Sequence, residues 1–182
     1  MIVLFVCTGN ICRSPMAEHL LRLRASELGW TDLEVHSAGT WATDGSPATE
    51  EAERVLVGAG ISGGGAQHAS RTLTRDMVDA ADVIVAMTSV HLREIEEVAP
   101  GSSGKVFLLK EIAELSPGDR GIGGMLAARR PEWRRALDLD DPMGFGMGTY
   151  ERCFADIRKG VDGLIRWLRP PGAAPTGEGT GA

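Results

Sequence analysis

The residues Cys7-Thr8-Gly9-Asn10-Ile11-Cys12-Arg13-Ser14 have the form Cys, five residues, Arg, Ser, which joins a nucleophile to groups that hold an anion. Arg13 can grip two oxygens of a phosphate with its planar guanidinium, a geometry that a lysine ammonium does not match. Successive backbone N–H groups of a tight loop, from Thr8 through Ser14, can form a concave nest for an anion. A helix beginning there adds unpaired donors and the positive end of its dipole. A dianionic phosphate fits such a site. The same positive field favours the thiolate of Cys7, the form that attacks. Ser14 can hydrogen-bond the sulfur and stabilise it as it departs, and Gly9 and Asn10 tolerate the positive φ that inward-turned amides often need.

This chemistry requires a strand before the loop and a helix after it. Residues 2–6 are a continuous apolar run with β-branched members, which predicts a buried strand of a parallel sheet. From Pro15 the period changes: Ala17, Leu20, Leu21, Ala25 and Leu28 are spaced by three and four, with Gly29 just past the end, which predicts a helix. A cysteine at a strand end is most often a small buried hydrophobe. Gly-Asn inside the loop and Ser-Pro opening the helix favour the functional reading. Further on, residues 33–37, 83–87 and 105–109 read as strands and residues 47–57, 91–98 and 149–168 as helices, with Gly63-Gly64-Gly65 a flexible surface turn. The alternation predicts an α/β sandwich around a parallel sheet. Two stretches stand apart. Residues 117–137 form a long connection in which Arg120, Arg129, Arg130, Arg134 and Arg135 face Asp119 and Glu132, a balance of 5 − 2 = +3. Residues 169–182, rich in Pro, Gly, Ala and Thr, predict a disordered tail behind a domain of residues 1–168.

Composition bounds the class. The chain has 182 residues, 43% hydrophobic and 24% charged, which fits one globular domain and excludes disordered, collagenous and coiled-coil chains. A net charge of −6 argues against a general nucleic-acid or membrane-surface binder and leaves room for one local anion site. Three cysteines, an odd number, do not make a disulfide framework and point to a reducing compartment. No apolar run approaches the roughly 18–20 residues that cross a bilayer, and the first residues lack the basic start of a signal peptide, so a cytoplasmic location is expected.

The run from Val6 to Glu18 resembles the phosphate loop and first helix of the low-molecular-weight protein tyrosine phosphatase family. The resemblance continues through Ser37-Ala38-Gly39-Thr40, Ser70-Arg71-Thr72-Leu73-Thr74, residues 81–87 and Asp141-Pro142. It implies a three-layer sandwich with a central four-stranded parallel sheet and flanking helices, the phosphate loop following the first strand. It also implies two-step phosphoryl transfer from a phosphorylated protein or peptide, with no metal or cofactor. Cys7 attacks phosphorus; Asp141 protonates the leaving oxygen and then activates water. Asn10, Ser37 and His68 match positions that brace the loop, and Cys12 matches a cysteine that can pair with the nucleophile and shield it from oxidation. Cys153 is expected in the core.

The resemblance departs after Asp141-Pro142, where the family usually has an aromatic residue and this chain has Met143; Phe145 or Trp41 is then the candidate wall against a phosphotyrosine ring. Related protein arginine phosphatases share much of the sequence, but the characterised ones carry Thr where this chain has Ile11, which is typical of the tyrosine branch. Arsenate reductase chemistry would need further redox cysteines, and residues 74–100 contain none. A phosphopeptide-binding module without turnover would be expected to lack Cys7 or Asp141. The arginines from Arg129 to Arg135 are placed by sequence just before the acid, where they could recruit acidic phosphopeptides.

Overall fold

The computed structural model describes residues 1–63, 65, 67–115 and 136–168. The elements in chain order are β1 (Ile2–Cys7), α1 (Arg13–Glu27), β2 (Glu34–Gly39), α2 (Glu50–Gly58), α3 (Arg75–Ala80), β3 (Val83–Ala86), α4 (Ser89–Val98), a 3-10 turn (Ser102–Lys105), β4 (Val106–Leu108), α5 (Leu109–Ala113) and α6 (Met147–Leu168). The four strands form one parallel sheet in the order β2-β1-β3-β4, as the resemblance implied.

Strand alternation divides the core in two. Val3, Phe5 and Cys7 of β1 point with Val85 and Phe107 to the face covered by α1, α2, α5 and α6. Leu4 and Val6 point with Ile84, Ala86 and Leu108 to the face covered by α3 and α4. β1, β3 and β4 are therefore apolar on both faces, which is why they read as unbroken hydrophobic runs, whereas β2 at the sheet edge carries Glu34 and His36. Cys153 lies in the first cluster, on α6.

Several boundaries differ from those expected. The helix expected from Pro15 starts at Arg13, because Cys12 already takes the N-cap position. The run at 105–109 is a strand only to Leu108, and Leu109 opens α5. Gly65, expected in a surface turn, is buried: a Cβ there would meet Glu53, with the Glu53 Cα at 3.1 Å, so Gly65 packs against α2. Gly64, the arginine-bearing stretch as far as residue 135 and the tail from residue 169 lie outside the described residues. No helix among the described residues is long and apolar enough to cross a membrane.

The strand order carries the functional consequence. The chain leaves β1 towards β2 on one side and returns to β3 on the other, so the switch in direction falls between β1 and β3. In open α/β sheets ligands bind outside the carboxyl ends of the strands at such a switch. The loop after β1 carries Cys7 to Arg13, and the loop after β3 leads into Thr88 and α4.

Candidate active site

The loop between β1 and α1 is built around Asn10. Asn10, not Gly9, takes the left-handed conformation (φ 54°), the only non-glycine residue to do so among the described residues. Asparagine tolerates it because its side chain can bond locally, and here those bonds assign every proton. The backbone N–H of Arg71 donates to Asn10 Oδ1 (2.9 Å), so the amide nitrogen must face the other way, where it donates to Ser14 Oγ (2.9 Å) and Ser37 Oγ (2.8 Å). Ser37 passes its own proton to the carboxylate of Glu18. With Ser14 Oγ already accepting, its hydroxyl proton is free to point at Cys7 Sγ, 3.0 Å away. The Asn10 backbone N–H also faces the sulfur, at 3.3 Å. His68 Nε2 donates to the Asn10 carbonyl at 2.6 Å. Cys7 thus stands buried at the end of β1 with two donors directed at it, an arrangement that suits a thiolate.

The other cysteines are held differently. Cys12 Sγ lies 3.3 Å from Tyr150 Oη and 3.6 Å from Thr49 Oγ1, and burial pushes its thiol above the ordinary range. Burial pushes the Cys153 thiol up to about 12. All three are free thiols. Burial therefore keeps Cys12 and Cys153 neutral at physiological pH.

Arg13, the first residue of α1, is buried with Nη1 on the Leu139 carbonyl (3.3 Å) and Nη2 on Asp141 Oδ2 (2.5 Å). Its Nε is buried without a hydrogen-bond partner among the described residues. A buried guanidinium donor left unpaired is costly, and a ligand oxygen on the loop side would satisfy it. Asp141 itself is half exposed (48%). Its loop is pinned over the ends of the sheet. Leu139 N–H donates to the Met87 carbonyl (2.8 Å), Lys110 Nζ to the Asp138 carbonyl (2.9 Å), and Asp138 accepts from the N–H and hydroxyl of Ser89 at the start of α4. Of the neighbouring acids, Asp138 is thereby committed to a helix N-terminus and Asp141 faces Arg13.

The end of β2 closes the back of the loop. Thr40 N–H donates to the Cys7 carbonyl and Trp41 N–H to the Thr8 carbonyl, both at 2.9 Å. The approach leaves no room at Gly39: an added Cβ would lie 2.9 Å from Asn10 N and 2.9 Å from the Ala42 Cβ, and against the Thr8 carbonyl. Gly39→Ala is expected to cost about 1–3 kcal/mol, since the obstacle is backbone that must shift. Urea denaturation of the variant against wild type measures it.

A family model described as "Low molecular weight phosphotyrosine protein phosphatase" matches residues 2–122. The chain belongs to this family. A "Probable low molecular weight protein-tyrosine-phosphatase EpsP" of Ralstonia solanacearum is 34% identical over 170 residues, 93% of this chain and 97% of that protein. A "Protein-arginine-phosphatase" of Geobacillus stearothermophilus is 42% identical over 117 residues, 64% of this chain and 74% of that protein. Among solved structures, "YwlE arginine phosphatase - C7S mutant with phosphorylated active site serine" superposes with a TM-score of 0.76 at 30% identity, covering 94% of this chain and 97% of that one.

In this low-molecular-weight phosphatase, the aromatic candidates stand at the surface next to the loop and the acid. Trp41 is 75% exposed, bonded through its backbone to Thr8 and through Nε1 to Glu94 Oε1 (2.9 Å). Phe145 is 63% and Met143 47% exposed, and Met143 N–H caps Asp141 Oδ1 at 3.1 Å. Three contributors escaped the sequence reading. Glu18 lies inside the motif but carries no signal until Ser37 is beside it. Arg71 donates its backbone N–H to Asn10 and Nη2 to the Ser37 carbonyl (3.0 Å). His91, read only as part of a helix, bonds Thr8 Oγ1 through Nε2 at 2.9 Å.

Proposed function

We propose that residues 1–168 hydrolyse phosphotyrosine in a phosphorylated protein or peptide through a cysteinyl-phosphate on Cys7. The observation that carries this reading is the pairing, on one loop, of a sulfur with two donors directed at it and an arginine whose buried Nε has no hydrogen-bond partner among the described residues. The Cys7 thiolate attacks phosphorus, the bond from phosphorus to the phenolic oxygen breaks, and Asp141 gives its proton to that oxygen. Water then attacks the phosphoryl group and passes a proton to the Asp141 carboxylate. The bond from sulfur to phosphorus breaks, with Ser14 donating to the departing thiolate, and inorganic phosphate leaves. Arg13 and the amides of Thr8, Gly9, Asn10, Ile11, Cys12, Arg13 and Ser14 hold the phosphoryl oxygens; inorganic phosphate or a similar oxyanion occupies the same loop. Binding transfers the Arg13 fork from Asp141 to the phosphoryl group, which releases the carboxyl for proton transfer. Asn10, Ser37 and His68 keep the loop in shape.

Trp41, Met143 and Phe145 supply apolar surface for the tyrosine ring. The three unbridged cysteines suit the reducing cytoplasm. The arginine-phosphatase relatives favour phosphoarginine as the second reading. Phosphate release from two peptides of one sequence, carrying phosphotyrosine or phosphoarginine, separates them. The phosphotyrosine peptide is expected to show the higher kcat/KM by roughly tenfold or more, the scale at which a pocket discriminates side chains by shape. The inverse ratio would assign the arginine branch.

A further inference from the structure

We infer that His91 is a positioning residue that turns the Thr8 hydroxyl proton toward the bound phosphoryl group. The inference rests on the phosphatase reading above. His91 lies in the first turn of α4, is buried, and bonds on both sides of its ring. Nδ1 lies 3.1 Å from the Thr88 backbone N, which can only donate, so Nδ1 is the bare nitrogen and accepts. The ring proton is therefore on Nε2, which donates to Thr8 Oγ1 at 2.9 Å. Burial and the nearby Arg13 charge lower the His91 pKa to about 4, so the ring stays neutral at physiological pH.

Thr8 Oγ1 receives a second, longer approach from Arg13 Nη2 at 3.5 Å. Donors thus occupy the sides of the oxygen that face His91 and Arg13. The hydroxyl's own proton must point elsewhere, and Thr8 is exposed beside the loop mouth, next to Cys7. A neutral donor is thereby set in advance beside the phosphoryl oxygens, with its direction chosen by a residue 83 positions away. The Thr88 side of the ring has a separate task, closing the N-terminus of α4, so a structural role and a positioning role coexist on one imidazole.

The experiment combines kinetics on a phosphotyrosine peptide with NMR of the full chain. Thr8→Val and His91→Phe are each expected to lower kcat/KM by roughly five- to tenfold, the effect of one neutral hydrogen bond. The double variant is expected to lose no more than the worse single one, because the two residues act as a unit. His91→Gln, which can offer an amide N–H to Thr8, is expected to recover most of the loss. Multiplying losses in the double variant, or an unchanged kcat/KM in Thr8→Val, would overturn the inference. Since His91→Phe can fail by unfolding, the wild-type imidazole is examined as well. Long-range 1H–15N spectra at neutral pH are expected to show a neutral ring protonated on Nε2, with a shift change in Thr8→Val, and a ring protonated on Nδ1 would overturn the inference without any turnover. Absence of hydrolysis by the wild type would instead count against the phosphatase reading, so the two failures are distinguishable.

Discussion

Cys7→Ser is expected to reduce phosphate release by about ten-thousandfold or more, to background, while the fold and anion affinity persist. In the proposed mechanism the Cys7 sulfur is the one atom in the loop that both attacks and leaves. A serine hydroxyl in its place is scarcely ionised at neutral pH, and the serine ester it would form is a far poorer substrate for water. The surrounding bonds change little, because Ser14 and the Asn10 N–H can serve an oxygen as they serve sulfur. Retained phosphate affinity therefore separates loss of chemistry from loss of the site. Steady-state assays paired with calorimetric titration of inorganic phosphate make the comparison, and wild-type rates in the variant would refute the cysteinyl-phosphate route.

The second large effect is expected at Asp141. In the proposed mechanism Asp141→Asn removes the proton donor for the leaving oxygen and the base for water but keeps the side-chain volume, so kcat is expected to fall by about a hundredfold to ten-thousandfold. The fall depends on the leaving group. A phenol made acidic by an electron-withdrawing substituent needs little protonation, so the loss is expected to be smaller for such an aryl phosphate than for a phosphotyrosine peptide. Asp138→Asn and Asp140→Asn are the comparison. Asp138 holds the start of α4 through Ser89, so its loss is expected to appear mainly in thermal stability. A larger leaving-group-dependent loss in either neighbour than in Asp141→Asn would move the acid there.

The sequence was most informative where the chemistry is contiguous. Cys7, Arg13 and Ser14 lie within eight residues between a strand and a helix, and the periodicities that define those elements are local properties of the chain. A parallel sheet buried on both faces also left its mark, as three apolar runs with β-branched residues at β1, β3 and β4. Short elements were harder to read. α3 and α5 span only 6 and 5 residues, too few for a 3.6-residue period to emerge, and α5 follows β4 without a break. Positive φ in the loop was expected at Gly9 or Asn10; the choice of Asn10 depended on Ser14, Ser37 and Arg71 meeting its side chain.

By itself, then, the sequence determined the candidate nucleophile loop, the α/β class and the family resemblance, because a strand, a tight turn and a helix N-terminus adjacent in the chain already suit an anion site. The resemblance pointed to Asp141, Ser37 and His68, and only the tertiary structure decided which atoms these distant groups meet and added His91 to them. Arg13 meets Asp141 across 128 positions, Asn10 meets Ser37 across 27, and Thr8 meets His91 across 83. Such pairs leave no periodic trace in the chain. They come together because the order β2-β1-β3-β4 brings the carboxyl ends of β1, β2 and β3 side by side, where the loops that follow them must share one mouth.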